Sequence, residues 1–146
     1  MNKSVQKIEI ISPLNQLNLY VYSRYFKTFI ELYSKKLLPQ VSLITGSKGL
    51  GKSTFIYHFI NYLLSKNEDL GYSLENNIIN PNNRSYILAT SNIHPNFTSI
   101  SKKNDQKEIS IEDIRKLKSF LSKSTFSNNI KYVLIDNPEN FNINSS

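Results

Sequence analysis

The sequence predicts an α/β fold with a parallel sheet, and three observations carry that prediction. Helix-like and strand-like segments alternate along the chain, the order in which strands pair in parallel through helical crossovers. A glycine-rich turn, "GSKGLGKS" at 46–53, lies between a β-branched run and an amphipathic stretch. A later apolar run, "YVLID", ends on an acidic residue, Asp136.

Residues 1–18 form an N-terminal segment of mixed character, with Pro13 interrupting any helix. Residues 19–38 read as a leading helix. Tyr22, Tyr25, Phe26, Phe29, Ile30, Tyr33 and Leu37 recur every three or four positions and share one face. Such a face is most simply core, and Pro39 closes the helix. The core region then runs over 41–146. "VSLIT" at 41–45 predicts a buried strand. After the glycine turn, Phe55, Ile56, Phe59, Ile60, Leu63 and Leu64 form the stripe of a second helix, with His58 off the stripe and expected in solvent. Residues 65–84 are Asn-rich and read as a loop. "SYILATS" at 85–91 predicts a strand, and 92–108 a loop with a short extended piece at Phe97–Ile100. Ser110 and Asp113 have the capping-box spacing, so a helix follows, with Ile111, Ile114, Leu117 and Leu121 inward. "KYVLID" is the last predicted strand.

Composition narrows the function. The 146 residues allow one domain with a core of its own. The absence of cysteine excludes disulfides and thiolate zinc sites. His58 and His94 have no metal-ligand spacing. No signal-peptide core and no apolar run of roughly 20 residues is present, so no membrane partner and a cytoplasmic location are expected. The net charge of +7 suits a polyanion. It is spread as scattered lysines, including Lys102, Lys103 and Lys107, and reads first as an ordinary Lys-rich surface, with charge that meets DNA as the alternative.

The sharpest motif is the turn itself. Gly46, Ser47, Lys48, Gly49, Leu50, Gly51, Lys52 and Ser53 fit G-x-x-x-x-G-K-[ST] at every fixed position. Glycines let successive N–H groups face inward as an anion nest, and the following helix adds its positive end. Lys52 can reach the β- and γ-phosphates, Ser53 can ligate Mg²⁺, and Thr54 can assist at the phosphates. This is the phosphate loop of P-loop NTPases. Such proteins also need an acidic strand end to hold Mg²⁺ through water, and Asp136 fits that place. Hydrolysis needs a group that activates water. Asn137 follows Asp136, and an amide cannot take a proton as a carboxylate does; Glu139 lies past Pro138 and projects differently. No catalytic residue is assigned, and the motifs favour binding over turnover.

Four stretches resemble the N-terminal part of bacterial DNA polymerase III clamp-loader subunits of the AAA+ class, delta-prime most of all. They are "LPQVSLITGSKGLGKSTFIYHFINYLL", "HPNF", "ISIEDIRKLKSFLS" and "KYVLIDNPENFNINSS", together spanning roughly 37–146. The resemblance implies an AAA+-like, three-layer P-loop NTPase fold with a parallel sheet. It implies a role in DNA replication beside other clamp-loader subunits, with the sliding clamp and primed DNA as indirect partners. ATP and Mg²⁺ are the implied cofactors, held weakly or structurally without competent hydrolysis; no zinc module is implied. Relatives continue past the Walker B strand with two more strands, one lying between the P-loop and Walker B strands. The chain is therefore expected to be a partial AAA+ domain truncated after the Walker B strand, with Asp136 too far from Lys52 to share one Mg²⁺. Two other readings stay open: a small competent P-loop NTPase or kinase, and a basic nucleic-acid-binding module with a vestigial loop.

Overall fold

The computed structural model describes residues 11–101, 110–125 and 130–136. The elements run in order as a 3-10 turn (Pro13–Asn15), α1 (Ser23–Ser34), α2 (Lys52–Ser65), α3 (Arg84–Thr90), β1 (Phe97–Ile100), α4 (Ile111–Ser122) and β2 (Tyr132–Ile135). The strands β1 and β2 are parallel, with Phe97 opposite Tyr132 and Ile100 opposite Ile135. Parallel strands need a crossover, and α4 supplies it.

Helix α2 is the spine. On one side Phe55 and Phe59 join Leu19 and Phe26 in a buried cluster. Phe26 is fully buried, with the rings of Phe55 and Phe59 edge-on at 5.9 and 6.2 Å, the geometry favoured by the ring quadrupole. Burying one such ring stabilises the fold by about 2–3 kcal/mol. On the other side Ile60 packs with Ala89 of α3 and Phe97 of β1, backed by Tyr132 and Leu134 of β2. The two faces of α2 thus join α1 to the sheet.

Helix α1 is shorter than the expected 19–38. Tyr22 has a left-handed backbone, φ 74°, and the residues before it are drawn away, Leu19 N–H donating to the Asn77 carbonyl. Phe26, Phe29, Ile30 and Tyr33 do face the core. Tyr25 and Leu37 do not, and both are exposed.

Two predicted strands take other forms. Residues 85–90 fall in helix α3 rather than in a strand, with Ser91 as its C-cap. A short apolar run does not distinguish the two, and the cap decides: the buried Asn83 side chain accepts from Tyr86 N–H at 2.9 Å. Among the described residues, 41–45 join no sheet. Val41 is 87% exposed and Leu43 76%. A strand exists only where a neighbour completes its ladder, and no strand flanks this segment among the described residues. The described sheet therefore has two strands, and a three-layer arrangement is not seen.

The Asn-rich segment is a loop as expected, tied down at Ser73 and Ile78 by reciprocal backbone bonds and at Ile79 by a bond to the Leu17 carbonyl. His58 is not in solvent. It is fully buried, its Nε2–H donating to the Gln16 carbonyl at 3.0 Å and its Nδ1 accepting from Tyr72 O–H at 2.9 Å. His94 is also buried. Its Nδ1 accepts from Asn96 N–H, which leaves Nε2–H to donate to Ser85 Oγ; Ser85 O–H then donates to Glu68 at 2.7 Å. This chain anchors the entry to β1. Helix α4 begins at the Ser110–Asp113 capping pair, as predicted. Its last carbonyls, at Phe120 and Lys123, accept from the Lys131 ammonium just before β2, a common way to satisfy a helix end.

Candidate functional site

The residues of the loop, Gly46 to Gly51, are exposed and lead directly into α2. Gly49 and Gly51 have φ of 85° and 78°, a conformation that costs a residue with a Cβ on the order of 1 kcal/mol. Gly51 is the N-cap of α2, and no side chain caps that end. The N–H groups of Lys52, Ser53 and Thr54 have no intrahelical acceptor. They present the positive end of the helix dipole, which favours an anion.

Lys52 closes the loop on itself. Its ammonium donates to the carbonyls of Gly46 at 2.7 Å and Ser47 at 2.9 Å. The two ends of the turn are thereby clasped, with a positive charge held at its mouth.

Asp136 stands against this loop, where a wide separation was expected. Ser53 Oγ–H donates to Asp136 Oδ1 at 3.1 Å, across 83 residues of sequence. Two elements make the contact: Ser53 is in the first turn of α2, and Asp136 follows the C-terminal end of β2, its N–H bonded to the Ile100 carbonyl at 2.8 Å. A hydroxyl and a carboxylate at this distance are the hard oxygen donors that Mg²⁺ takes. Asn137, Pro138 and Glu139 lie outside the described residues, as do Lys102, Lys103 and Lys107.

Two tyrosines belong to the site that sequence reading did not assign to it. Tyr57 is one turn beyond Ser53 on α2. Burial raises its phenol pKa, a hydrogen bond with Ser99 opposes that, and the nearby Asp136 carboxylate raises it further. The i, i+4 spacing from Ser53 is the signal that places it on the same face. Tyr22 reaches the loop from α1, its hydroxyl donating to the Leu50 carbonyl at 2.5 Å. Nothing in the spacing of Tyr22 and Leu50 announces that contact.

Helices around a parallel β1–β2 pair, with a glycine turn at one helix start and an acid at a strand end, make a small α/β protein compatible with phosphate-loop folds. A family model described as "DNA polymerase III, delta subunit" matches residues 22–146, and the chain belongs to that family, which makes it a clamp-loader-related subunit. Comparison with curated proteins and with solved structures finds no match. Among the described residues, no helix is long and apolar enough to cross a membrane.

Proposed function

We propose that this chain is a delta-prime-like clamp-loader subunit whose phosphate loop holds a nucleotide polyphosphate without turning it over. The observation that carries the proposal is the Ser53–Asp136 contact. It joins the phosphate loop to the acidic strand end, the two parts that a Mg²⁺–nucleotide site requires. In this reading the N–H groups at the start of α2 and the Lys52 ammonium hold the phosphates, and Ser53 and Asp136 hold the ion. A bound Mg²⁺ would neutralise phosphate charge. Thr54 follows Ser53 in the same half-buried turn and assists at the phosphates.

The absence of turnover rests on Asn137, which has no proton-accepting carboxylate beside Asp136. The role is then structural: nucleotide firms the loop, and α2 passes that order to both packed clusters. Other clamp-loader subunits are the direct partners, and the sliding clamp and primed DNA are reached through them.

Titration with a fluorescent ATP analogue and Mg²⁺, beside Lys52→Ala, tests the proposal. Wild type is expected to bind. The variant is expected to lose about tenfold or more in affinity, the scale of one charge-assisted hydrogen bond to phosphate. Phosphate release is expected at the buffer rate. Equal affinity in the two proteins removes the loop from the site, and release above background makes the chain an NTPase instead.

A further inference from the structure

We infer that Tyr22 is a positioning residue for the phosphate loop, acting from α1 through Leu50 and Gly51. The inference rests on the nucleotide reading above and adds a second element to that site.

Three independent observations converge on Tyr22. Its hydroxyl donates to the Leu50 carbonyl at 2.5 Å, a contact across 28 residues that ties the N-cap of α1 to the end of the loop beside Gly51. Its ring edge backs Gly51: a Cβ built on Gly51 would lie 3.9 Å from Tyr22 Cε2. Its own backbone is left-handed, with φ 74° and ψ 13°, where a large aromatic residue is an uncommon occupant. A strained conformation persists when the surroundings over-determine it. Here they do. The Tyr22 ring is edge-on to Phe55 at 6.0 Å and to Tyr25 at 6.2 Å, so the phenol is aimed at the loop from a fixed base.

The consequence follows from the loop's construction. Leu50 is half exposed and Gly51 has the conformational freedom of glycine. Lys52 clasps the early part of the turn, at Gly46 and Ser47, and leaves Leu50 unheld from that side. The Tyr22 hydroxyl holds it from the other. Gly51 is the N-cap of α2, so fixing Leu50–Gly51 fixes the direction in which the first N–H groups of α2 point. Convergent N–H groups make an anion nest, and holding them converged before the ligand arrives lowers the ordering cost of binding. Tyr22 does not meet the phosphates in this scheme.

Tyr22→Phe removes one hydroxyl and keeps the ring, so the core beneath it is retained. Two readouts are taken on wild type and Tyr22→Phe: affinity for the fluorescent ATP analogue with Mg²⁺, and amide hydrogen exchange over 48–54 without ligand. The variant is expected to bind about three- to tenfold more weakly, the range of one neutral hydrogen bond. Its loop amides are expected to exchange faster, while those of α3 and the unfolding midpoint stay as in wild type. Unchanged exchange over the loop overturns the inference. So does a loss of protection spread evenly over the chain, which would mark Tyr22 as a core residue only. If wild type binds no analogue yet the variant's loop exchanges faster, the nucleotide reading fails and Tyr22's hold on the loop stands.

Discussion

His58 shows what one buried side chain does to the response to acid. Its Nε2–H bonds the Gln16 carbonyl and its Nδ1 accepts from Tyr72, so it is folded in the neutral form. Burial lowers its pKa from 6.5 to about 4, opposed in part by the Gln16 carbonyl. Between those values the unfolded chain binds the extra proton and the folded one does not. The stabilisation is therefore complete above about pH 6.5 and is lost as pH falls toward 4. At 1.36 kcal/mol per unit, the loss is on the order of 3 kcal/mol. Burial also lowers the pKa of His94, which adds in the same direction. Urea unfolding near neutrality and again below pH 5 measures this. Wild type is expected to lose more stability on acidification than His58→Gln, whose amide can both donate and accept. Equal losses would falsify the assignment.

At the scale of elements, a cap can outweigh the apolar pattern, as it does at α3. The run at 85–91 reads as a strand by its Tyr and Ile content, yet it is α3. Asn83 caps the helix through Tyr86 N–H and also donates to Glu68 at 2.9 Å, while almost fully buried. Asn83→Ala is expected to destabilise the fold by about 2 kcal/mol, from a lost cap and a carboxylate left short of a donor. The exposed Asn82→Ala is the control, expected within about 0.5 kcal/mol of wild type. Thermal unfolding of the pair checks this, and matching midpoints would mean that α3 does not depend on its cap. Helix α4 was legible for the same reason: Ser110 and Asp113 sit three apart in the sequence and meet in space. Asn83 and Glu68 are 15 residues apart, and no local pattern connects them.

For the whole molecule, α2 is the member on which the rest depends. It carries the uncapped N-terminus at the loop, one cluster against α1, and another against α3 and β1. Its stripe was readable at 3.6-residue spacing. The burial of His58, off that stripe, was not, because a helix packed on two sides buries more than one face. The stretch 41–45 is the reverse case. Its β-branched run has strand character, but Val41 and Leu43 stand in the open. A segment with exposed apolar side chains and no pairing partner among the described residues invites association. Sedimentation velocity over a concentration series is expected to show self-association of wild type, reduced in a Val41→Lys, Leu43→Lys double variant. A wild type that stays monomeric throughout refutes that expectation.

By itself, the sequence determined what depends on near neighbours: the phosphate-loop pattern at 46–53, the helix after it, the Ser110 cap, and the acid at the end of "YVLID". These are set by backbone freedom and side-chain chemistry within a few residues. Tertiary structure alone decided that Asp136 meets Ser53, that Tyr22 reaches Leu50, that His58 is buried and that 41–45 has no ladder among the described residues. Each of those depends on which surfaces distant segments bury together, and a strand exists only when another segment accepts its hydrogen bonds.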